Sequence, residues 1–470
     1  MTRRPNLLLI MTDQQRSDAA GFGNSQYVDT PALDALAAQG VVFTNAYSAS
    51  TTCVPARSAL LTGLFEHRLP RGPDGKALRD GYWNIAHALK STGYRTGLFG
   101  KMHFSPINAR HGFDVIRSAE HITLHAGYES DDRDGYREWI ESKGLRDVRF
   151  DARPGHLFPY DETLHPTHWI TDEALRFVTN ETAEPFFAIV SYSGPHTPLD
   201  PPEPYASLYP ALNELIPADG MSVNNNLPDF FRNAMEILPD AFFNPILVDH
   251  LGEGWVREIL AAIRALIRHI DANIGRLLQH IDLTNTLVCF TSDHGDYGAH
   301  RGLIGKVPWI PFDDLAKVPL FYAGAGVRGG RRISNLVHSC DMALTFLEAA
   351  GVLPSNHELF DTKSLWPSLC GETMKDDRTI HSSLTMGWPM VRRGRYKLIG
   401  QIYKGTALFD LEDDPGETRD ISSDHPALVA ELTEAIRAHH RRPRLDMWGD
   451  MNTRDLEFLA NAPLTNPQSA

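Results

Sequence analysis

Reactive side chains in this sequence recur in one kind of place, directly after short apolar runs. Asp13 follows the run 7–11, Lys101 and His103 follow 94–99, His196 follows 186–192, and Asp293 with His294 follows 286–291. In an open α/β sheet, ligands bind outside the carboxyl ends of the strands. Four such ends would bring two carboxylates, a lysine and three imidazoles to one edge. Carboxylates and imidazole suit a divalent cation, while lysine and histidine suit an anion. Cys53 adds a nucleophile. The segment Cys53-Val54-Pro55-Ala56-Arg57 reads as the opening of a helix that stops near Gly63, with Pro55 in its first turn. A thiol there sits among unpaired N–H groups at the positive end of the helix dipole, and Arg57, one turn on, points back to it. Position alone leaves Cys53 equally readable as a buried structural cysteine, and His196 as an ordinary loop histidine.

The elements that must position these residues follow from the same pattern. The four runs and a fifth, 318–322, alternate with helical patterns, which predicts an α/β fold with a large, mostly parallel sheet flanked by helices. Trp255, Ile259, Ile263, Leu266, Ile270, Ile274, Leu277 and Ile281 recur at steps of three and four, one apolar helix face. Residues 201–254 are rich in Pro, Asn and Asp with little periodicity and read as an irregular excursion. The chain divides near 354. Residues 1–354 carry the sites named above. Residues 355–470 read as a smaller C-terminal unit, an antiparallel sheet from the pieces 391–393, 395–399 and 407–411 with one helix over 426–440. The tail after Pro443 has no core pattern and reads as an arm against another copy of the chain, a homo-oligomer contact.

Cys-x-Pro-x-Arg followed by Leu61-Thr62-Gly63 resembles the signature of the type I sulfatases, and Gly100-Lys101-Met102-His103 their Gly-Lys-x-His segment. Gly194-Pro195-His196, Ser292-Asp293-His294-Gly295-Asp296 and Gly302-Leu303-Ile304-Gly305-Lys306 resemble three further segments of that family. The resemblance implies an alkaline-phosphatase-like fold and hydrolysis of an organic sulfate monoester. It implies that Cys53 is oxidised by a formylglycine-generating enzyme to formylglycine. One hydroxyl of the formylglycine hydrate attacks sulfur, and the other expels sulfate as the aldehyde re-forms. Lys101 and Lys306 would then bind the sulfate, His103 would hold a hydroxyl of the hydrate, His196 would be the acid for the leaving oxygen, and Arg57 would hold charge in place. Asp13, Gln14, Cys53, Asp293 and His294 would surround one divalent metal ion, Gln14 either binding or bordering it. Asp13-Gln14 and Asp293-His294 depart from the commoner Asp-Asp and Asp-Asn pairs and resemble the choline-sulfatase and phosphonate-monoester-hydrolase branch. Ca²⁺ is the expected ion, Mg²⁺ an alternative, and the added imidazole brings Mn²⁺ into consideration. Arg301 reads as structural or surface. The other histidines, such as His67, His87 and His111, read as surface or polar-network residues. Those from His121 to His168, and Trp388 from the small unit, are candidates to line the substrate cleft.

Composition narrows the partners. A formal net charge of -14 leaves no basic surplus for nucleic acid. The four cysteines are too sparse for a disulfide framework, and no apolar stretch is long enough to cross a bilayer. The run 7–11 is too short for a secretory core, so the chain is expected in the cytoplasm, acting on a small sulfate ester or sulfated sugar. A phosphonate-monoester or phosphodiester hydrolase is the rival reading on the same scaffold, and a non-catalytic anion- or sugar-binding homologue is a third.

Overall fold

A computed structural model describes residues 4–442 except 26–27, 70–77, 79–80, 104–105, 108, 121–132, 150–156, 181, 211–226, 237–245, 356, 376–377, 384–386 and 402–403. In chain order its strands are β1 (Asn6–Asp13), β2 (Val41–Tyr47), β3 (Arg95–Gly100), β4 (Val115–Ser118), β5 (Phe186–Pro195), β6 (Ile246–Leu247) and β7 (Thr286–Ser292). After these come β8 (Leu303–Ile304), β9 (Leu320–Gly324), β10 (Arg331–His338), β11 (Thr379–Ser382), β12 (Met390–Arg393), β13 (Tyr396–Gln401) and β14 (Gly405–Asp410). Eight of them form the main sheet in the order β10-β2-β9-β7-β1-β5-β3-β4. Only β9, the fifth apolar run, is antiparallel to its neighbours β2 and β7.

β1 shows why this sheet forms. Leu7, Leu8, Leu9, Ile10 and Met11 are all fully buried, as a continuous apolar run must be in a strand covered on both faces. Alternate residues serve opposite cores. Leu7, Leu9 and Met11 join the helices Cys53–Thr62, Ile85–Ser91 and Met342–Ala349, whereas Leu8 and Ile10 join Pro31–Ala38, Pro166–Val178 and the end of Val248–Leu278. The central order β7-β1-β5-β3 places side by side the four strands after which Asp293, Asp13, His196 and Lys101 occur.

The long helix spans Val248–Leu278, beginning earlier than the periodic face suggests. Trp255, assigned to that face, is 45% exposed, and Val256 is the buried residue there. Ile281 lies beyond the helix end, partly buried against the same core. Strands β2, β4 and β10 have no counterpart among the apolar runs. β4 and β10 are sheet edges whose half-exposed residues blur the hydrophobic signal.

β11 to β14 form a separate antiparallel sheet, covered on one side by the helix Pro426–His440 through Leu432 against Val391, Leu398 and Leu408. Its other face shares a core with Tyr47, Phe312 and Leu336 of the main sheet and its loops. Phe231 and Met235, from the helix Asp229–Glu236, are buried in that core, so part of the excursion returns to brace the two sheets. Trp388 is 5% exposed and packs on Phe230 and Phe231, a core residue and not a cleft one. The tail after Pro443, with His121, His125 and His156, lies outside the described residues. No helix of the described residues is long and apolar enough to cross a membrane.

Gly100 couples this fold to the site. It ends β3 at φ +105°, and a Cβ there would lie 1.9 Å from the Ser191 carbonyl oxygen. Gly100→Ala is therefore expected to lower unfolding stability by about 2 kcal/mol or more. Urea unfolding with an unchanged slope but an unchanged midpoint as well would contradict this reading.

Candidate active site

The helix Cys53–Thr62 begins at Cys53 itself and ends where Gly63 adopts φ +67°. Its fourth turn-residue neighbour, Arg57, is 1% exposed and spans two strand ends. Arg57 Nη2 donates to Asp13 Oδ2 at 2.9 Å and Nε to Asp293 Oδ2 at 2.8 Å. Nη1 donates to Ser191 Oγ at 2.9 Å and to the Lys101 carbonyl. One guanidinium thus ties β1, β3, β5 and β7 to the helix. Lys101 Nζ lies 2.6 Å from Asp13 Oδ2.

The outer oxygens of both carboxylates are occupied by these cations, and the inner ones face the thiol. Asp13 Oδ1 lies 3.7 Å from Cys53 Sγ. Asp13 Oδ1 and Asp293 Oδ1 each lie 3.8 Å from His294 Nε2. His294 Nδ1 lies 2.8 Å from the Gly295 carbonyl, so Nδ1 carries a proton, and Nε2 faces Cys53 Sγ at 3.1 Å. Lys306 Nζ lies 2.8 Å from the same sulfur. The donor atoms of Asp13, Cys53, Asp293 and His294 all fall within 4.8 Å of one another. Two carboxylates, an imidazole and an inward-facing side chain at position 53 fit one divalent cation.

Electrostatics agree with this geometry. Burial pushes the Asp13 carboxyl up, but Lys101, His196, Arg57 and Lys306 together hold it well below the usual carboxylate range. Burial and Asp13 raise the Cys53 thiol, yet Lys306, Lys101 and His294 bring it below its ordinary value. Burial, with Lys101 and Arg57, holds His103 well below the usual histidine value, so its ring is neutral.

The remaining expected residues sit at the rim of this cluster. Gln14, at φ +67°, donates its backbone N–H to Asp293 Oδ1 at 3.1 Å and its side-chain nitrogen to Asp296 Oδ2 at 2.5 Å. Among the described residues, neither ring nitrogen of His103 has a hydrogen-bond partner, and Nε2 lies 3.8 Å from Glu120 Oε2. His196 Nδ1 lies 2.8 Å from the Thr197 carbonyl. Arg301 bonds Asp314 and the Gly416 carbonyl, a structural place as expected.

Four supporting residues have no assignment in the sequence reading. Asp296 Oδ1 accepts from Gly298 N–H at 2.6 Å and Gly305 N–H at 3.2 Å, fixing the loop that delivers Lys306. Glu120 Oε1 accepts the Met102 and His103 N–H groups at 2.7 and 3.0 Å. Ser191, a polar residue inside a buried strand, links Arg57 to the Lys101 carbonyl. Ser383, just past β11, accepts Thr51 N–H at 3.1 Å, and its own N–H donates to Ala49 O at 3.0 Å. Ser191 carried a visible signal, a hydroxyl within an apolar run; the others did not.

A cysteine at a helix start, facing a cation-suited donor set and ringed by arginine and lysine at the carboxyl ends of parallel strands, defines a hydrolase of tetrahedral anionic esters. The chain belongs to the sulfatase family, whose model matches residues 5–352. It is a sulfatase, an enzyme that hydrolyses sulfuric esters. Among its relatives, an arylsulfatase of Clostridium perfringens is 29% identical, with 97% of this chain and 95% of the relative covered. A choline-sulfatase of Rhizobium meliloti is 27% identical over 95% and 88%. The crystal structure of a phosphonate monoester hydrolase of Agrobacterium radiobacter superposes with a TM-score of 0.77 at 26% identity, covering 94% and 97% of the two chains.

Arg57→Met leaves two buried carboxylates without their shared cation. Unfolding stability is expected to fall by about 3–5 kcal/mol. Thermal or urea unfolding of the metal-free variant measures it, and a loss below about 1 kcal/mol would mean the fork is not the tie described here.

Proposed function

We propose that the chain hydrolyses a small organic sulfate monoester at position 53, after oxidation of Cys53 to formylglycine, with one divalent cation beside it. The observation that carries this reading is the convergence on Cys53 Sγ of Lys306 at 2.8 Å, His294 at 3.1 Å and Asp13 at 3.7 Å. A thiol needs no such company to pack, whereas an oxygen nucleophile attacking an anion does. The converted side chain supplies a hydrated aldehyde as nucleophile, which requires an oxidising enzyme as maturation partner. The cation, when bound, neutralises charge on the sulfate and on the attacking oxygen.

Asp13, Asp293 and His294 Nε2 would hold that cation together with side chain 53. Gln14 would add its carbonyl oxygen, since its nitrogen end is committed to Asp296. Ca²⁺, Mg²⁺ and Mn²⁺ all take carboxylate oxygens; Ca²⁺ remains the expected ion, and the imidazole keeps Mn²⁺ in consideration beside it. Lys306 and Lys101 balance sulfate charge from two sides. His103, held neutral, keeps a ring nitrogen available to one hydroxyl of the nucleophile. His196 delivers a proton to the leaving oxygen. Arg57 touches no substrate in this scheme and acts by fixing both carboxylates.

The likeness to a phosphonate monoester hydrolase favours a second, slower activity on phosphonate monoesters or phosphodiesters. Both ester classes present a tetrahedral anion to the same cations, and they differ in charge. The alcohol portion is left open among aryl, choline and sugar groups.

The mass of the proteolytic peptide containing Cys53 is expected to be that of an aldehyde. An unmodified thiol in protein with full turnover would sink the nucleophile assignment. Lys306→Ala is expected to lower kcat for an aryl sulfate about 10²–10³-fold, and an unchanged kcat would remove Lys306 from the site. Chelation should abolish turnover, and Ca²⁺ should restore it, with Mn²⁺ and Mg²⁺ as the alternatives to compare. A rate on aryl phosphonate equal to or above that on aryl sulfate would reverse the order of the two activities.

A further inference from the structure

The strap Lys101-Met102-His103 runs on from β3 outside any helix or strand. Its shape is not one the backbone takes unaided. His103 stands at φ +57°, in the left-handed region that residues other than glycine rarely adopt and that persists where the surroundings impose it. At one end of the strap, Arg57 and the Ser191 hydroxyl both donate to the Lys101 carbonyl. At the other end, a single oxygen does the work. Glu120 Oε1 accepts the Met102 N–H at 2.7 Å and the His103 N–H at 3.0 Å. Successive N–H groups that converge on one anionic oxygen make charge-assisted bonds and fix the backbone between them.

Glu120 is itself held on both sides. It stands two residues past β4, and its N–H donates to Asp134 Oδ2 at 2.6 Å. Its carbonyl accepts from Arg149 Nη1 at 2.7 Å. Arg149 also reaches the two oxygens of Asp134 at 2.8 and 3.0 Å and Asp147 Oδ2 at 2.6 Å. Its guanidinium lies over the Tyr136 ring, 4.6 Å from the centroid. Asp134 in turn caps the helix Gly135–Ser142 by accepting the Arg137 N–H at 2.8 Å. The fixed point for the strap is therefore a capped helix start, reached through Asp134, Arg149 and Glu120.

Packing alone does not call for this arrangement. Glu120, Asp134, Asp147 and Arg149 are all buried, and burying charged groups is costly where apolar side chains could fill the same space. What the charges supply is direction. The second oxygen of Glu120 lies 3.8 Å from His103 Nε2, beyond hydrogen-bond distance, so the grip is on the backbone and not on the ring.

We propose that Glu120 is a positioning residue for His103, fixing the backbone from which the imidazole is presented to the nucleophile at position 53. The inference rests on the role given to His103 under the proposed function. Because Glu120 acts through two N–H groups, an uncharged acceptor of the same length suffices.

The test is a set of variants of the full-length protein assayed on an aryl sulfate, with the mass of the Cys53 peptide recorded for each so that equally matured enzymes are compared. Glu120→Ala is expected to lower kcat about 10²-fold with KM within about threefold of wild type. Glu120→Gln keeps the acceptor oxygen, and its kcat should stay within about threefold of wild type. A loss in Glu120→Gln as large as that in Glu120→Ala overturns the backbone grip. His103→Ala gives the loss that the imidazole itself accounts for. Adding Glu120→Ala to it should cost no more than about threefold further, because both changes act through one group. A further loss of about 10²-fold in that double variant overturns the assignment to His103. So does wild-type kcat in Glu120→Ala beside a loss in His103→Ala, an outcome that leaves the proposed function standing. Wild-type kcat in His103→Ala removes the role of His103, and this inference with it. If Glu120→Ala does not fold, amide hydrogen exchange of the wild type decides. Protection of the Met102 and His103 N–H groups comparable to that of β3 supports the grip, and exchange as fast as in an exposed loop overturns it.

Discussion

A buried guanidinium shared by two buried carboxylates is the constraint on which the rest of the site depends. Asp13 and Asp293 end neighbouring parallel strands, and their side chains would repel across the sheet edge if left alone. Arg57 occupies the outer oxygen of each and leaves the inner pair turned toward Cys53 and His294. Replacing such a cluster whole, cation and carboxylates together, by apolar residues would cost little net stability, although removing the cation alone strands both acids. What the cation supplies is direction, because a planar fork fixes where both carboxylates point. The same group reaches Ser191 and the Lys101 carbonyl, so the strap carrying Lys101 and His103 is held by the arginine that orients the acids.

Around this tie the sheet behaves as a jig. Its four central strands are apolar along their length and turn polar at one end, where the backbone leaves the ladder and side chains become free for chemistry. The antiparallel sheet is no appendage to this arrangement. It shares the core of Tyr47, Phe312 and Leu336, and Phe231 from the excursion fills the space between them. Ser383 then carries the link on to the backbone of Ala49 and Thr51, just ahead of the nucleophile.

The reactive residues were legible because each obeys a local rule. Asp13, Lys101, His196, Asp293 and His294 stand directly after apolar runs, and Cys53 stands at a helix start that Pro55 and Gly63 delimit. Asp296, Glu120 and Ser383 obey none. They act on backbone N–H groups brought near by folding, and any acidic or hydroxyl residue in a loop looks the same before that. Edge strands β4 and β10 escaped for a related reason, since half-exposed residues carry little hydrophobic pattern. Trp388 and Trp255 show the converse error. An aromatic near a site was read as lining it, and one in phase with a buried face was read as buried. Packing against Phe231 and solvent exposure decide otherwise.

The burial of Cys53 has a consequence for the order of events in synthesis. Only 5% of the residue is exposed once the chain has folded, and Lys306 and His294 lie against its sulfur. Under the proposed function, an enzyme oxidising this side chain would have to reach it before the loop closes. Chains emerge amino end first, and Ser383 is translated some three hundred positions after Cys53. The Ser383 contact on the loop is thus among the last pieces delivered, and synthesis itself would leave a window for the proposed modification.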